Sequence, residues 1–348
     1  MTTRVLSERA LNRALLARQL LLERAEAPVP KAIERIGCVQ DQYAPSGYIG
    51  LWSRLSGFER PDLTSALERR RVVQATMMRT TIHLASRRDF WPIALAVRDA
   101  RRAWWLRASR RPGGARAMEE AARRVKGVLA NGPGRRAAIM AELGLDATTW
   151  NGVGLWLDLV RVPPSGTWER RRADLYGLAE EWLGPPGDGL IAAGGVRLLV
   201  RRYLAAFGPA SVKDVVGFTG LGATTIATAL IGMRLRRFAD ERGGELVGLP
   251  RAPLPDPETP APVRFLPTWD ATLLAHARRT QILPEPLRPR VFHVKVPQSV
   301  PTFLVDGQVA GTWRFEGGMV VPEPFGPIAS AVRRQLADEA ERLSAFMS

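Results

Sequence analysis

Gln40-Asp41-Gln42 is the stretch whose residue types and spacing point most directly to chemistry. In an extended backbone, residues 40 and 42 turn to one side and residue 41 to the other, so two carboxamides converge on one point. Such a pair can hold and polarise a water, which is a positioning role and not that of a full-strength base. The motif lies between an amphipathic helical segment and the aromatic run Tyr43-Ala-Pro-Ser-Gly-Tyr48-Ile-Gly-Leu-Trp52, in a chain of formal net charge +16. A polar pair aimed at one point inside a strongly basic protein suggests a site that works on nucleic acid.

The remaining reactive residue types narrow the chemistry by exclusion. Cys38 is the only cysteine, so neither an intrachain disulfide nor a thiolate cluster is available. Flanked by Ile36, Gly37 and Val39, it reads as a small buried hydrophobe more readily than as a reactive thiol. His83, His276 and His293 lie far apart and no pair has the i,i+4 spacing of a helical zinc site, so no metal or other cofactor is expected. His83 has two readings: contact with a base or phosphate, or a strand histidine bonded to a backbone carbonyl. Tyr43, Tyr48 and Trp52 offer rings for stacking, although Tyr48 and Trp52, one helical turn apart, fit a core, and Trp52 is read that way.

A chain of 348 residues exceeds the usual size of one domain, and 46% hydrophobic residues supply ample cores. Lysine occurs only at Lys31, Lys126, Lys213 and Lys295, so the basic excess is almost wholly arginine. Arginine's planar fork pairs with phosphates and stacks on rings, which suits a polyanionic partner; a GC-rich genome would raise arginine too. No apolar run approaches the roughly 20 residues of a membrane span and the first residues lack a signal-peptide core, so the expected location is cytoplasmic, near the nucleoid.

Periodicity and breakers give a mainly α fold with β (α+β), built from three winged-helix units. Ser7 caps an amphipathic helix running to about Leu22, and a short helix follows Pro28 and Pro30. Further helices cover Gly47 to Leu55 and Arg60 to Leu67, before strands at Val72 to Thr76 and Thr80 to Leu84. The order recurs as helices at 119–130, 135–143 and 147–160 with a wing over 162–178, and again as helices at 196–207, 211–219 and 223–231 with a wing over 234–248. Thr148 and Ser211 stand at expected N-caps. The proline-rich stretch 251–262 reads as a linker, strands are expected at 292–296, 302–305, 309–315 and 319–321, and a helix closes the chain over 328–346. The expected units are therefore 1–117, 118–190, 191–250 and 251–348.

Arg98, Arg101 and Arg102 share a helical face, and Arg110 and Arg111 continue the cluster. Only Asp99 offsets the charge over this span, unlike an ordinary solvated helix, so phosphate binding is the favoured reading. Arg170, Arg171 and Arg172 in the second wing, Arg236 and Arg237 in the third, and Arg279 complete the expected DNA contacts. Arg79 and Arg314 are either ion-pair partners or phosphate ligands.

Residues 34–55 around Gln40-Asp41-Gln42 resemble the AlkZ-like DNA glycosylases, the YcaQ-type winged-helix family. The segment Met78-Arg79-Thr80-Thr81-Ile82-His83-Leu84 is similar to that family's Arg-x-Thr-x-His strand. Leu266-Pro-Thr-Trp269-Asp270 and the stretch from Val300 through Asp306-Gly307 to Trp313-Arg314 resemble its C-terminal signatures. The resemblance implies three tandem winged helices scaffolded by a C-terminal β-barrel-like element into a concave, DNA-embracing shape. It also implies a monofunctional glycosylase that hydrolyses the N-glycosidic bond of alkylated purines, including bulky or crosslinked ones, in repair or in self-resistance to an alkylating natural product.

Gln40 and Gln42 would then be the catalytic pair, with Asp41, His83 and Tyr43 as further candidates for catalysis or substrate contact. Asp41 departs from the apolar middle residue usual in the motif, so it either points into structure or joins the chemistry. The partner implied is double-stranded DNA bearing alkylated bases, bound by a monomer, with the hairpin at Asp306-Gly307 as a candidate element for the DNA groove. A lyase would need an amine near the motif, and Lys31 fits the solvent side of its helix. The alternative is a non-catalytic winged-helix DNA-binding protein or transcriptional regulator, against which the polar glutamine pair argues.

Overall fold

The computed structural model of the protein describes residues 3–109, 114–292 and 299–348, so Arg110, Arg111, His293 and most of the expected 292–296 strand lie outside the described residues. The chain runs β1 (Arg4–Leu6), α1 (Glu8–Arg18), α2 (Val29–Ile36), β2 (Val39–Gln40), α3 (Ala44–Trp52), α4 (Arg60–Glu68), β3 (Val72–Thr76), β4 (Ile82–Ser86) and α5 (Arg87–Ser109). It continues with α6 (Gly114–Leu129), β5 (Gly134–Arg135), α7 (Arg136–Leu143), α8 (Ala147–Trp156), β6 (Leu159–Arg161), β7 (Leu175–Leu178) and α9 (Ala179–Leu183). Then follow α10 (Ala192–Phe207), α11 (Val212–Thr219), α12 (Ala223–Leu230), β8 (Arg236–Asp240), β9 (Glu245–Gly248), β10 (Arg264–Leu266) and α13 (Arg288–Val291). The last elements are β11 (Thr302–Val305), β12 (Gln308–Glu316), β13 (Met319–Pro324) and α14 (Ser330–Met347).

Local chemistry accounts for many of these boundaries. Ser7 and Ser211 cap α1 and α11 through their hydroxyls, and Asp214 closes a capping box on the second. The cap of α8 is Asp146, not Thr148, because its carboxylate accepts the Thr149 N–H at 2.7 Å. α1 stops at Arg18, short of Leu22, where Leu20 takes φ +59° and the N–H of Leu21 turns back to Leu16. α8 ends at Trp156 and the chain becomes β6 by Leu159, so the expected helix to Val160 is shorter.

Strand pairing carries the larger lesson. β3 and β4 form a hairpin, as do β6 and β7, and β3 also pairs with β6 with Gln74 opposite Arg161 and Ala75 opposite Val160. The two hairpins therefore share one six-stranded sheet in the order β2-β4-β3-β6-β7-β5. β1 runs parallel to β8 and extends the β8-β9 hairpin into a three-stranded sheet. The C-terminal strands form an open sheet, β10-β11-β12-β13, so the barrel-like closure is not found among the described residues. Four strands are too few to close around filled interior side chains, and α14 packs along β13 and β10 instead.

The core divides into neighbouring clusters. The largest gathers β3, β4, α5, α10 and α11 around Phe90, Tyr203, Phe207 and Phe218. A second joins α2, α3 and α4 to the C-terminal sheet and α14 through Tyr48, Phe265, Phe303 and Trp313. A third holds α6, α7 and α8 around Trp105, Trp150 and Trp156. β2, an edge strand between the first two clusters, is thus clamped from both sides. Among the described residues no helix is long and apolar enough to cross a membrane.

Candidate active site

β2 pairs antiparallel with β4, Gln40 opposite His83, and the ladder continues as the Asp41 N–H donates to the Ile82 carbonyl at 2.8 Å. Extended pairing sets the alternation: Gln40 and Gln42 meet on one side, where Gln40 Nε2 donates to Gln42 Oε1 at 2.6 Å. Gln40 is buried and Gln42 is exposed, so the pair leads from the interior to the surface. Asp41 turns the other way and is 2% exposed. It accepts the Gly47 N–H at 3.0 Å on one oxygen and the Gln74 side-chain amide on the other.

The arginine of the β3-β4 turn fixes the polarity of the amide pair. The expected strand over Thr80–Leu84 starts only at Ile82, because Met78–Thr80 forms a tight turn with Arg79 at φ +51° and Thr80 at φ +60°. That reversal brings Arg79 Nη2 to Gln40 Oε1 at 2.8 Å, while Nη1 donates to the Phe218 carbonyl at 3.1 Å and the guanidinium lies 5.2 Å from the Phe218 ring. A guanidinium only donates, so Gln40 presents its carbonyl to Arg79 and its NH2 to Gln42, and Gln42 must answer with its carbonyl. The outer amide is left with a second carbonyl lone pair and an NH2 directed to solvent.

Burial sets the charge states around the pair. Desolvation pushes the Asp41 carboxyl up to about 7, against the opposing pull of Gln74, the Gly47 N–H and Arg161. Burial, with Arg79 beside it, drops His83 to about 3, so it is neutral, and its Nδ1 carries the proton bonded to the Thr81 carbonyl at 3.0 Å. Burial and the neighbouring Arg279 bring Arg79 down to about 10, which leaves it charged at neutral pH. The amide pair therefore meets the Arg79 guanidinium directly, and Gln40 shares a small hollow with the buried Arg54–Asp270 ion pair.

The segment between β6 and β7 reaches the motif as well. Tyr43, 47% exposed, accepts a hydrogen bond from Arg171 Nη1 at 3.2 Å. Arg171 and Arg60 lie 5.4 and 5.1 Å from the Trp168 ring, which packs edge-on to Tyr48. Tyr48 is fully buried with its hydroxyl on Thr64, and Trp52 stacks near Phe346 beneath Arg24. Both rings are therefore packing residues in this structure. From behind, Arg54 forms a buried bidentate pair with Asp270 at 2.9 and 2.8 Å, tying α3 to the Trp269-Asp270 segment. Cys38 is a buried thiol pushed up to about 12 by desolvation, and Lys31 pairs with Glu34 on the solvent side of α2.

The other arginines singled out in the sequence scatter. Arg98 pairs with Asp158; Arg101, 4% exposed, bonds the Thr76 carbonyl and Asp158; Arg102 donates to the Leu155 and Trp156 carbonyls. These three pin α5 to the end of α8, to Asp158 just after it and to the end of β3, instead of forming a free cationic face. Arg170 pairs with Asp174 at 3.4 Å, Arg172 is exposed, Arg236 stacks on Phe238 and Arg237 pairs with Glu245. Arg279 is partly buried over the Phe292 ring. The Asp306-Gly307 turn is not a free element for a groove: Asp306 pairs with Arg9 and Arg13, and the Gly307 carbonyl accepts from Asn12 at 2.7 Å. Arg314 joins β12 to β13 through Glu316 and Glu323.

Sequence reasoning missed Gln74 and Arg161 as the surroundings of Asp41. A lone amide at the centre of the apolar strand Val72-Val-Gln-Ala-Thr76 was the available signal, since a buried polar side chain needs a partner. Among the described residues no three His, Cys, Asp or Glu side chains gather as a metal site.

Comparison with known proteins gives the context for this geometry. The Streptomyces sahachiroi DNA glycosylase AlkZ superposes with a TM-score of 0.81 at 17% sequence identity, covering 99% of this chain and 97% of that one. A search of curated proteins finds no match. The family model for DNA glycosylase AlkZ-like proteins matches residues 33–346, which include the glutamine pair, the Arg79 turn and the C-terminal sheet, and the chain belongs to that family.

Proposed function

We propose that this protein is a monofunctional DNA glycosylase that hydrolyses the N-glycosidic bond of N7- or N3-alkylated purines, in repair or in self-protection against an alkylating metabolite. The observation that carries the reading is the directed chain from Arg79 through Gln40 to Gln42, which ends at an exposed amide. An amide is too weak a base to remove a proton from water, but it can hold one in line with a sugar carbon. An alkylated purine already carries positive charge, so as the bond from C1′ breaks the electron pair neutralises the leaving base without protonation. The water placed by Gln42 then bonds to the oxocarbenium-like C1′ and loses its proton to solvent. Undamaged purines would need an acid to protonate the leaving base, a role that neither side-chain amide can fill.

Asp41 takes a positioning role in this reading. Its two hydrogen bonds anchor the strand from below and keep the glutamines outward. Gly47 is needed there, because a Cβ would lie 2.8 Å from Asp41 Oδ1 and 2.8 Å from Leu84 Cδ1. The helix sets α2–α4, α6–α8 and α10–α12, each followed by a two-stranded ribbon, are read as three winged-helix units that embrace duplex DNA as a monomer. Exposed Arg171, Arg172 and Arg236 contact its backbone.

The test is incubation with duplex DNA containing 7-methylguanine, then mild heating in alkali to convert abasic sites to breaks. The expected result is release of the free base by the parent chain, with loss of release but retained DNA binding in Gln42→Ala. Release that persists with both glutamines replaced would remove them from the mechanism.

A further inference from the structure

Behind Gln40 lies a set of buried polar groups that the proposed chemistry does not use: Gln19, Arg54, Asp270 and Thr272. Besides its two bonds to Asp270, the Arg54 guanidinium donates to the Gly50 carbonyl and the Thr272 hydroxyl, both at 2.9 Å, and to Gln19 Oε1 at 3.3 Å. Gln19 in turn donates to the Ile36 and Ala206 carbonyls at 3.1 and 3.0 Å. Taking two charges out of water costs about as much as their pairing returns, so the Arg54–Asp270 pair adds little net stability. One donor of this network is left over. Arg54 Nε is buried without a hydrogen-bond partner among the described residues.

A hollow of about 10 Å³ borders the network, and Gln19, Gln40, Ser46, Arg54 and Asp270 supply its polar lining. A space of that size takes one water and nothing larger. On its far wall, the Gln40 carbonyl accepts from Arg79 Nη2 and keeps a second lone pair. An unused guanidinium donor and an unused carbonyl lone pair thus border the same water-sized space.

We infer that Arg54 is a positioning residue for Gln40, acting through one water in this hollow that accepts the Arg54 Nε–H and donates to the Gln40 carbonyl. The inference rests on the proposed role of the glutamine pair and adds a second device that orients it. Buried waters occur where otherwise unpaired polar groups meet, and they make two to four hydrogen bonds. The second proton of this one can go to Gln19 Oε1 or to the Ser46 hydroxyl. The polarity agrees with that set by Arg79. Both the guanidinium and the water donate to the same carbonyl, so turning the Gln40 amide over would break both bonds and reverse its bond to Gln42. Asp270 holds Arg54 in place, so the segment after β10 governs an amide on β2.

The first test is a crystal structure of the whole chain at a resolution that shows ordered water. One water is expected within about 3.2 Å of both Arg54 Nε and Gln40 Oε1. A dry hollow, or a water that touches only one of the two, would overturn the inference whatever the activity of the chain. The second test is Arg54→Lys, which keeps a cation against Asp270 but has no Nε and no fork. Single-turnover release of 7-methylguanine should slow about tenfold, part of the roughly 100-fold that misplacing a catalytic group costs, with DNA affinity within about twofold of the parent. Unchanged release, or an equal loss of release and DNA affinity, would reduce Arg54 to a purely structural role and overturn the inference. If Arg54→Lys does not fold, the crystal structure decides alone. Absence of release by the parent would reject the proposed activity, whereas a missing water rejects only the role of Arg54, so the two failures are told apart.

Discussion

Two arginine-rich stretches, 98–102 on α5 and 170–172 between β6 and β7, read alike in sequence and end in opposite circumstances. Arg98 and Arg101 converge on Asp158, Arg101 also bonds the Thr76 carbonyl, and Arg102 caps the carbonyls that end α8. In the second stretch, Arg171 and Arg172 are exposed, and Arg171 touches Tyr43 beside the glutamine pair. The difference teaches that arginine density states how much positive charge a segment carries, whereas the position of a partner such as Asp158 decides whether that charge is spent on the fold or offered to a ligand.

The contrast can be broken most forcefully at Arg101. Arg101→Ala would leave the Thr76 carbonyl and part of Asp158 without their donors, and removing one member of a buried pair costs about 3–5 kcal/mol. A large fall in the urea midpoint is expected, with DNA affinity unchanged for the protein that stays folded. Loss of DNA affinity at unchanged stability would return Arg101 to the DNA surface.

Arg79 tests a third use of arginine, the orientation of another side chain. Arg79→Met keeps much of the apolar bulk over Phe218 but frees Gln40 to turn its amide, so Gln42 no longer has a fixed polarity. Misplacing a catalytic group costs on the order of 100-fold in rate. The expected signature is a drop of that size in single-turnover release with DNA affinity nearly intact. Equal activity would show that the polarity of the pair is irrelevant.

Arg171→Ala sharpens the other side of the comparison. If Arg171 neutralises one phosphate, the slope of log affinity against log salt should decrease by roughly 0.9, with stability within about 0.5 kcal/mol of the parent. An unchanged slope would confine Arg171 to holding Tyr43 and Trp168.

The same contrast explains what was legible in the sequence. Features with local causes could be read: the alternation through Gln40-Asp41-Gln42, the Ser7 and Ser211 caps, the proline-rich linker and the Asp306-Gly307 turn. Features that depend on partners far along the chain could not. Arg79 reaches Gln40 only because β3 and β4 reverse in a left-handed turn, and Asp306 is drawn to Arg9 and Arg13 from nearly 300 positions away. The pairing of β3 with β6 merges two ribbons that periodicity presents as separate. In each case the deciding group is a polar side chain or strand edge whose partner no local pattern names.

Acids repeat the lesson on a smaller scale, since Asp158 meets two guanidinium groups while Asp41 meets an amide and a backbone N–H. Desolvation nevertheless raises Asp41 to about 7 from an ordinary 3.8, against the pull of both bonds. Between these values the folded chain binds a proton that the unfolded chain has released. This contribution to stability is full below the unfolded value and is lost as pH rises through the folded one, by up to about 1.4 kcal/mol per pH unit. Asp41→Asn removes the titration and can keep both bonds, its oxygen accepting from Gly47 and its NH2 donating to Gln74 once that amide turns over. Relative to this variant, the parent should lose stability between about pH 4 and pH 7 in urea unfolding and level off above, while both release 7-methylguanine at similar rates. Parallel pH profiles would mean that Asp41 is ionised throughout, and a large loss of release would move its carboxylate from positioning the strand into the chemistry.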